Sequence, residues 1–199
     1  MIPTRERAEA ELLAAQERNP GKWVSHSRFT AQAAEAIAAR CPGMNPEKAY
    51  ICGLLHDIGR REGVYATRHG MDGYDYALQQ GWDEVARVCL SHSYPAQDAD
   101  MNVGKNDLTP DQERRLRAAL AKMEYDDYDR LIILCDALAE AGGFCILEKR
   151  FVDVSMRYGI YPFTLVRWER TLAYKVDFEK RMGCSVYTVL PGIEQCIYR

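Results

Sequence analysis

The stretch AYICGLLHDIGRREG, residues 49–63, is almost unbroken apolar helix pattern up to Leu55, then sets His56 and Asp57 side by side ahead of Gly59, Arg60 and Arg61. Asn45 suits an N-cap and Pro46 the first helical position, so a buried helix is predicted from Pro46 through Ile58, ended by Gly59. The doublet then falls in its last turn. An unpaired carboxylate on a buried face would protonate or cost several kcal/mol, so a polar pair there needs a chemical reason.

Outward from this helix the chain reads as helix after helix with little period-two alternation, which predicts an all-α fold. A first helix is expected over Arg5–Arg18, stopped by Asn19, Pro20 and Gly21, and a second over SHSRFTAQAAEAIAARCPG (25–43), with His26 in its first turn. Glycine-rich RHGMDGYDYALQQG (68–81) reads as a loop leading into a short helix, and WDEVARVCLSHS (82–93) as the next helix, with His92 near its end. Residues 94–108 read as loop. Thr109-Pro110 opens a helix rich in Arg and Glu, and DDYDRLIILCDALAEAGG (126–143) has acids in its first turn and two glycines at its stop. Helices near 145–158 and 162–182 follow, and the end, CSVYTVLPGIEQCIYR, is open between a short strand, a helical turn and a loop. The apolar stripe of the 162–182 helix is more often core than interface, and a homodimer along it is compatible with the pattern.

The 199 residues, 47% hydrophobic, suffice for one domain with a sizeable core, and no repeat or linker divides them. A net charge of -3 attracts neither nucleic acid nor an anionic membrane, so phosphate binding has to be local. The basic run ERRLRAALAK (113–122) is interleaved with acids and reads as a solvated face. No window approaches the roughly 18 apolar residues of a membrane span, and the expected location is the cytoplasm. Seven scattered cysteines form no paired framework and mostly fall in apolar helical pattern, which favours reduced, packed thiols.

All four histidines, His26, His56, His69 and His92, fall within residues 26–92, each at a helix end or in an adjoining loop. Asp136 interrupts the apolar run LIILCDALA. Imidazole and carboxylate are the donors that borderline divalent metals favour, and a bound dication makes ionised Asp57 and neutral His56 the preferred states. Taken singly, each residue has a plainer explanation: a helix-start histidine bonded to backbone, a solvated loop histidine, an aspartate paired with arginine. Taken together, the bland causes would have to coincide.

The order His26, His56-Asp57, Asp136, within VSHSRFTAQAAEAIA (24–38), ICGLLHDIGRREG (51–63) and LIILCDALAE (131–140), resembles the signature of the HD-domain superfamily of metal-dependent phosphohydrolases. The resemblance covers about residues 20–140 and implies an HD-like helical bundle, with residues 145–199 as a C-terminal helical extension that resembles nothing recognised. It implies a first metal on His26, His56, Asp57 and Asp136, with Asp57 bridging to a second. His69 and His92 occupy the positions of the additional histidines of two-metal members. One or two divalent ions are therefore expected, with iron, manganese, cobalt, nickel, zinc and magnesium all compatible with the donors.

Two cations in such a site support phosphoester hydrolysis by an activated water. The expected substrate is a small phosphorylated molecule, a nucleotide being the leading class. Arg60, Arg61 and Arg68 flank the ligand segments and are the expected substrate-binding cations; Asp57, Arg60 and Arg61 form the expected catalytic set. Asp72 and Asp75 fit either a role orienting His69 or the opening of a short helix, and Tyr94 either stacks on a base or packs. The same ligands also resemble the di-iron oxygenases of the superfamily, and a metal-stabilised binding module without turnover is a third reading.

Overall fold

Thr4 opens the first helix by accepting from the Arg7 amide, and α1 runs Arg5–Arg18 as its sequence predicts. A computed structural model describes residues 1–198; Arg199, the last residue of the expected C-terminal extension, lies outside them. After α1 come α2 (Trp23–Ala38), α3 (Pro46–Leu55), α4 (Arg68–Gln79), α5 (Asp83–Ser91), α6 (Pro110–Lys122), α7 (Asp127–Leu138), α8 (Leu147–Tyr158) and α9 (Thr164–Met182). The fold is all-α, with one minimal hairpin pairing β1 (Ala139–Glu140) with β2 (Gly143–Phe144). Single 3-10 turns occupy Ile58–Glu62, Ala99–Met101, Val186–Val189 and Ile193–Tyr198, the last two resolving the open reading of the C-terminal end.

The core centres on α7, whose Leu131, Ile132, Leu134, Cys135 and Leu138 are buried against α2 and α3 and, from the C-terminal segment, Phe178, Val186 and Leu190. Each such Leu or Ile contributes about 1.5–3 kcal/mol relative to exposure. A second cluster joins α1 to α3 and α5 through Leu12, Ile51, Leu54 and Val85. Gly53 lets α3 cross close over α2: a Cβ there would sit 2.8 Å from the Ala31 Cα.

Three expectations shift. The helix α3 stops at Leu55, short of Ile58, because His56 at its C-cap turns Nδ1 back to donate to the Gly53 carbonyl at 2.7 Å, occupying one of the carbonyls a helix end leaves free. Residues 68–79 are helix, not loop: Gly70 and Gly73 serve helix packing, since a Cβ on Gly73 would lie 3.0 Å from Cys89 Sγ on α5 and 3.1 Å from the Gly59 amide. Likewise α7 ends before the tandem glycines 142 and 143, which turn the hairpin. On α9 the core stripe is narrow, with Thr171 and Phe178 buried while Leu165, Leu172 and Val176 face outward. All seven cysteines are unpaired, and all but Cys184 are buried. No helix among the described residues is long and apolar enough to cross a membrane.

Candidate metal centre

Each histidine is aimed by the end of a helix. His56 and His92 stand at the C-caps of α3 and α5, and each donates Nδ1–H to a carbonyl of its own last turn, Gly53 at 2.7 Å and Val88 at 3.1 Å. His26, in the first turn of α2, does the same to the Ala139 carbonyl just past α7, at 3.2 Å. A carbonyl only accepts, so in all three rings Nδ1–H donates; in the neutral ring that tautomer leaves Nε2 as the atom able to bind a cation. His69, near the start of α4, is the fourth, its Nε2 3.2 Å from that of His92.

The Nε2 atoms converge on two carboxylates. Asp57 follows α3 in a bridge-region conformation (φ -102°, ψ 13°) that carries its side chain back beneath the helix end. Its Oδ1 lies 3.2 Å from His69 Nε2 and 3.7 Å from His92 Nε2, while Oδ2 faces His56 Nε2 at 3.9 Å and takes a 2.6 Å hydrogen bond from Arg60 Nε. Asp136 Oδ1 lies 2.8 Å from His26 Nε2 and 3.6 Å from His56 Nε2. Two groups result, His26–His56–Asp57 and Asp57–His69–His92, each with donor atoms within 4.8 Å of one another and with Asp57 common to both. All six residues expected as metal ligands are brought together.

The cluster has the electrostatic signature of a cation site. Although burial opposes ionisation, the Arg60 guanidinium and the surrounding imidazoles hold the Asp57 carboxyl well below the usual range, and His26 and His56 do the same for Asp136. Burial, with Arg60 added, lowers His69 to about 3, and burial, with His56 added, lowers His92 to about 4, so both are neutral imidazoles at ordinary pH. Burial also opposes a charge on His56, but Asp57 and Asp136 outweigh it and raise its pKa. Buried Asp57 Oδ1 and His56 Nε2 have no hydrogen-bond partner, a costly arrangement for a carboxylate oxygen and an imidazole nitrogen that bound divalent cations would relieve. The donors therefore fit such an ion.

The expected arginines part company. Arg60 bonds Asp57 and lines the cavity above the cluster. Arg61 turns to the far side, its guanidinium over the Tyr76 ring and 3.6 Å from Glu11, and Arg68 lies over Tyr65 and pairs with Asp72 at 3.0 Å; neither lines the cavity. In a 3-10 turn successive side chains diverge, which sends Arg60 inward and Arg61 outward. Asp72 also takes a bond from Gln112, Asp75 pairs with Arg115, and Tyr94 is buried among Met71, Leu90 and Leu116, so none of the three addresses a histidine or an open cleft. Absent from the sequence reading are Arg150 and Arg167, on α8 and α9, which line the same cavity of about 210 Å³, and Ser93, whose Oγ lies 3.0 Å from His92 Nε2. No local pattern marks the two arginines, because only the packing of the C-terminal helices turns them inward.

The family profile described as HD domain matches residues 23–141, more than half of the chain and all six clustered residues. The chain belongs to the HD-domain family. Its cluster and this membership together indicate a divalent-metal protein of hydrolase type. No curated protein and no solved structure matches the chain.

Proposed function

We propose that the protein is a metal-dependent phosphohydrolase acting on a phosphoester or phosphoanhydride of a small molecule, with nucleotides the first class to test. His26, His56, Asp57 and Asp136 would hold one divalent ion and Asp57, His69 and His92 a second. The observation that carries this reading is the sharing of Asp57 between two converging ligand groups, the arrangement a dinuclear hydrolase needs. When bound, the ions would lower the pKa of a water and polarise a phosphoryl oxygen. Asp57 divides its two oxygens between the groups, and Arg60 holds that carboxylate in place while presenting positive charge to the cavity. The three backbone bonds to Nδ1 keep the imidazoles oriented.

Arginines at the cavity favour an anionic substrate over the neutral polyol a di-iron oxygenase of this superfamily would take, and a six-residue cluster leaves coordination positions open, which favours turnover over a closed structural module. The test is metal analysis of purified protein followed by a screen of nucleotides, dinucleoside polyphosphates and sugar phosphates, with and without dioxygen. Phosphate release that needs metal and proceeds without dioxygen is expected. Oxygen uptake without phosphate release would replace the proposal by an oxygenase, and stoichiometric metal with no turnover by a binding module.

A further inference from the structure

Most arginines of this chain are paired with carboxylates, among them Arg5 with Glu35, Arg28 with Glu9, Arg87 with Asp129 and Arg181 with Asp127. Of the described arginines with no carboxylate within 4.0 Å, Arg40, Arg157 and Arg170 are exposed to solvent. The remaining two, Arg150 and Arg167, line the cavity beside His69, His92 and Asp136. Both belong to the helices that lie beyond the family match at residues 23–141.

Arg167 is half-buried, and its Nη1 donates to the carbonyls of Ser93 at 2.9 Å and Met101 at 2.7 Å. Ser93 is the neighbour of His92, so this guanidinium is held on the backbone next to a cluster histidine. Burial pulls its pKa down to about 10, which leaves it charged at neutral pH with no counter-ion among the described residues. Arg150 lines both the inner cavity and the wider mouth over the cluster, and its side chain makes no hydrogen bond or ion pair among the described residues. One residue after each arginine, Phe151 and Trp168 stack with centroids 5.1 Å apart and planes 6° apart, which locks α8 to α9 and fixes the spacing of the two guanidinia. A pair of half-buried cations on rigid helices, with no carboxylate within 4.0 Å and beside the His/Asp cluster, suits a tetrahedral oxyanion.

We propose that Arg150 and Arg167 form the anion anchor of the active site, binding the phosphoryl oxygens of the substrate in the cavity they share with His69, His92 and Asp136. The anchor rests on the phosphohydrolase reading for its place in a reaction, and its chemistry is that of a phosphate monoester or inorganic phosphate. The C-terminal helices thereby supply substrate recognition to a metal core built by the rest of the chain.

The probe is inorganic phosphate, titrated calorimetrically into the full chain loaded with manganese, with metal content and melting temperature measured on the same samples. Arg150→Gln, which removes no contact with the protein, is expected to weaken phosphate binding about tenfold or more at unchanged metal content, the scale of one lost charge-assisted interaction. Arg167→Gln is expected to do the same wherever it still folds. Unchanged phosphate affinity in Arg150→Gln overturns the anchor and leaves the metal centre standing. If the wild-type chain takes up no metal, the phosphohydrolase reading fails instead, and the same comparison on metal-free protein decides the anchor: equal affinities, or no phosphate binding at all, overturn it.

Discussion

His56 shows how one residue can end a helix and open a site. Its Nδ1 bond to Gly53 satisfies a free carbonyl of α3, and the same bond fixes the tautomer that leaves Nε2 available among Asp57, Asp136 and the other imidazoles. The neighbour Asp57 has the larger chemical burden, since both ligand groups share it. Asp57→Asn keeps the shape but removes the charge. Metal content, measured by elemental analysis, is expected to fall to background, and metal-dependent phosphate release by more than about 100-fold, the upper range for loss of a mere outer-shell partner. Full metal occupancy in this variant would contradict the assigned ligands.

Helix placement, one scale up, depends on a few close approaches. A Cβ on Gly59 would collide with the His69 carbonyl and the Gly73 amide, so Gly59→Ala has to push α4, and His69 with it, away from Asp57. Overpacking of this kind costs roughly 1–3 kcal/mol. A lower melting temperature is expected, together with loss of the metal proposed for Asp57, His69 and His92 before the one proposed for His26, His56, Asp57 and Asp136; titration with metal ions would count the sites. The start of α4 has a second support. Thr67 at its N-cap makes no side-chain cap, and Asp107, from the distant loop, instead accepts from the amides of Ala66 at 2.7 Å, Thr67 at 2.9 Å and Arg68 at 2.8 Å. Burial raises the pKa of this carboxyl, but the three amides outweigh it and the net shift is downward. A lowered folded pKa means that the stabilisation is present above the ordinary aspartate range and is lost as pH falls through the folded value. Asp107→Ala should therefore lower stability by about 1–2 kcal/mol at neutral pH, and urea denaturation at acid pH should show the difference from wild type shrinking.

For the molecule as a whole, the cluster draws its side chains from α2, α4, α7 and the C-terminal ends of α3 and α5, so ions bound there would cross-link these elements. An ion present at 100 times its dissociation constant adds about 2.7 kcal/mol to the folded state. Removal by a chelator is expected to lower the melting temperature by about 5–10 °C for a chain of this size, with recovery on adding the metal back; an unchanged melting temperature would argue against the cross-link. The C-terminal helices close over the same centre, tied to it by Arg167 through the carbonyls of Ser93 and Met101.

The all-α class, the bounds of α1 and the start of α3 were legible in the sequence because apolar spacing, Thr4, Asn45 and Pro46 act within one or two turns. The grouping of His26, His56, Asp57, His69, His92 and Asp136 in one set came from their order along the chain, which resembles the HD-domain signature, together with donor types that suit a divalent metal. Other features had no local signal. Gly70 and Gly73 looked like loop residues until α5 and Gly59 were seen pressed against them, and Arg61 was indistinguishable from Arg60 until the 3-10 turn parted them. Arg150 and Arg167 look like ordinary surface arginines of amphipathic helices, and only the docking of α8 and α9 over the cluster turns them toward it. Donor chemistry is a property of residue type and can be read along a chain; the direction in which a cation points depends on contacts between elements far apart in sequence, and those exist only once the chain has packed.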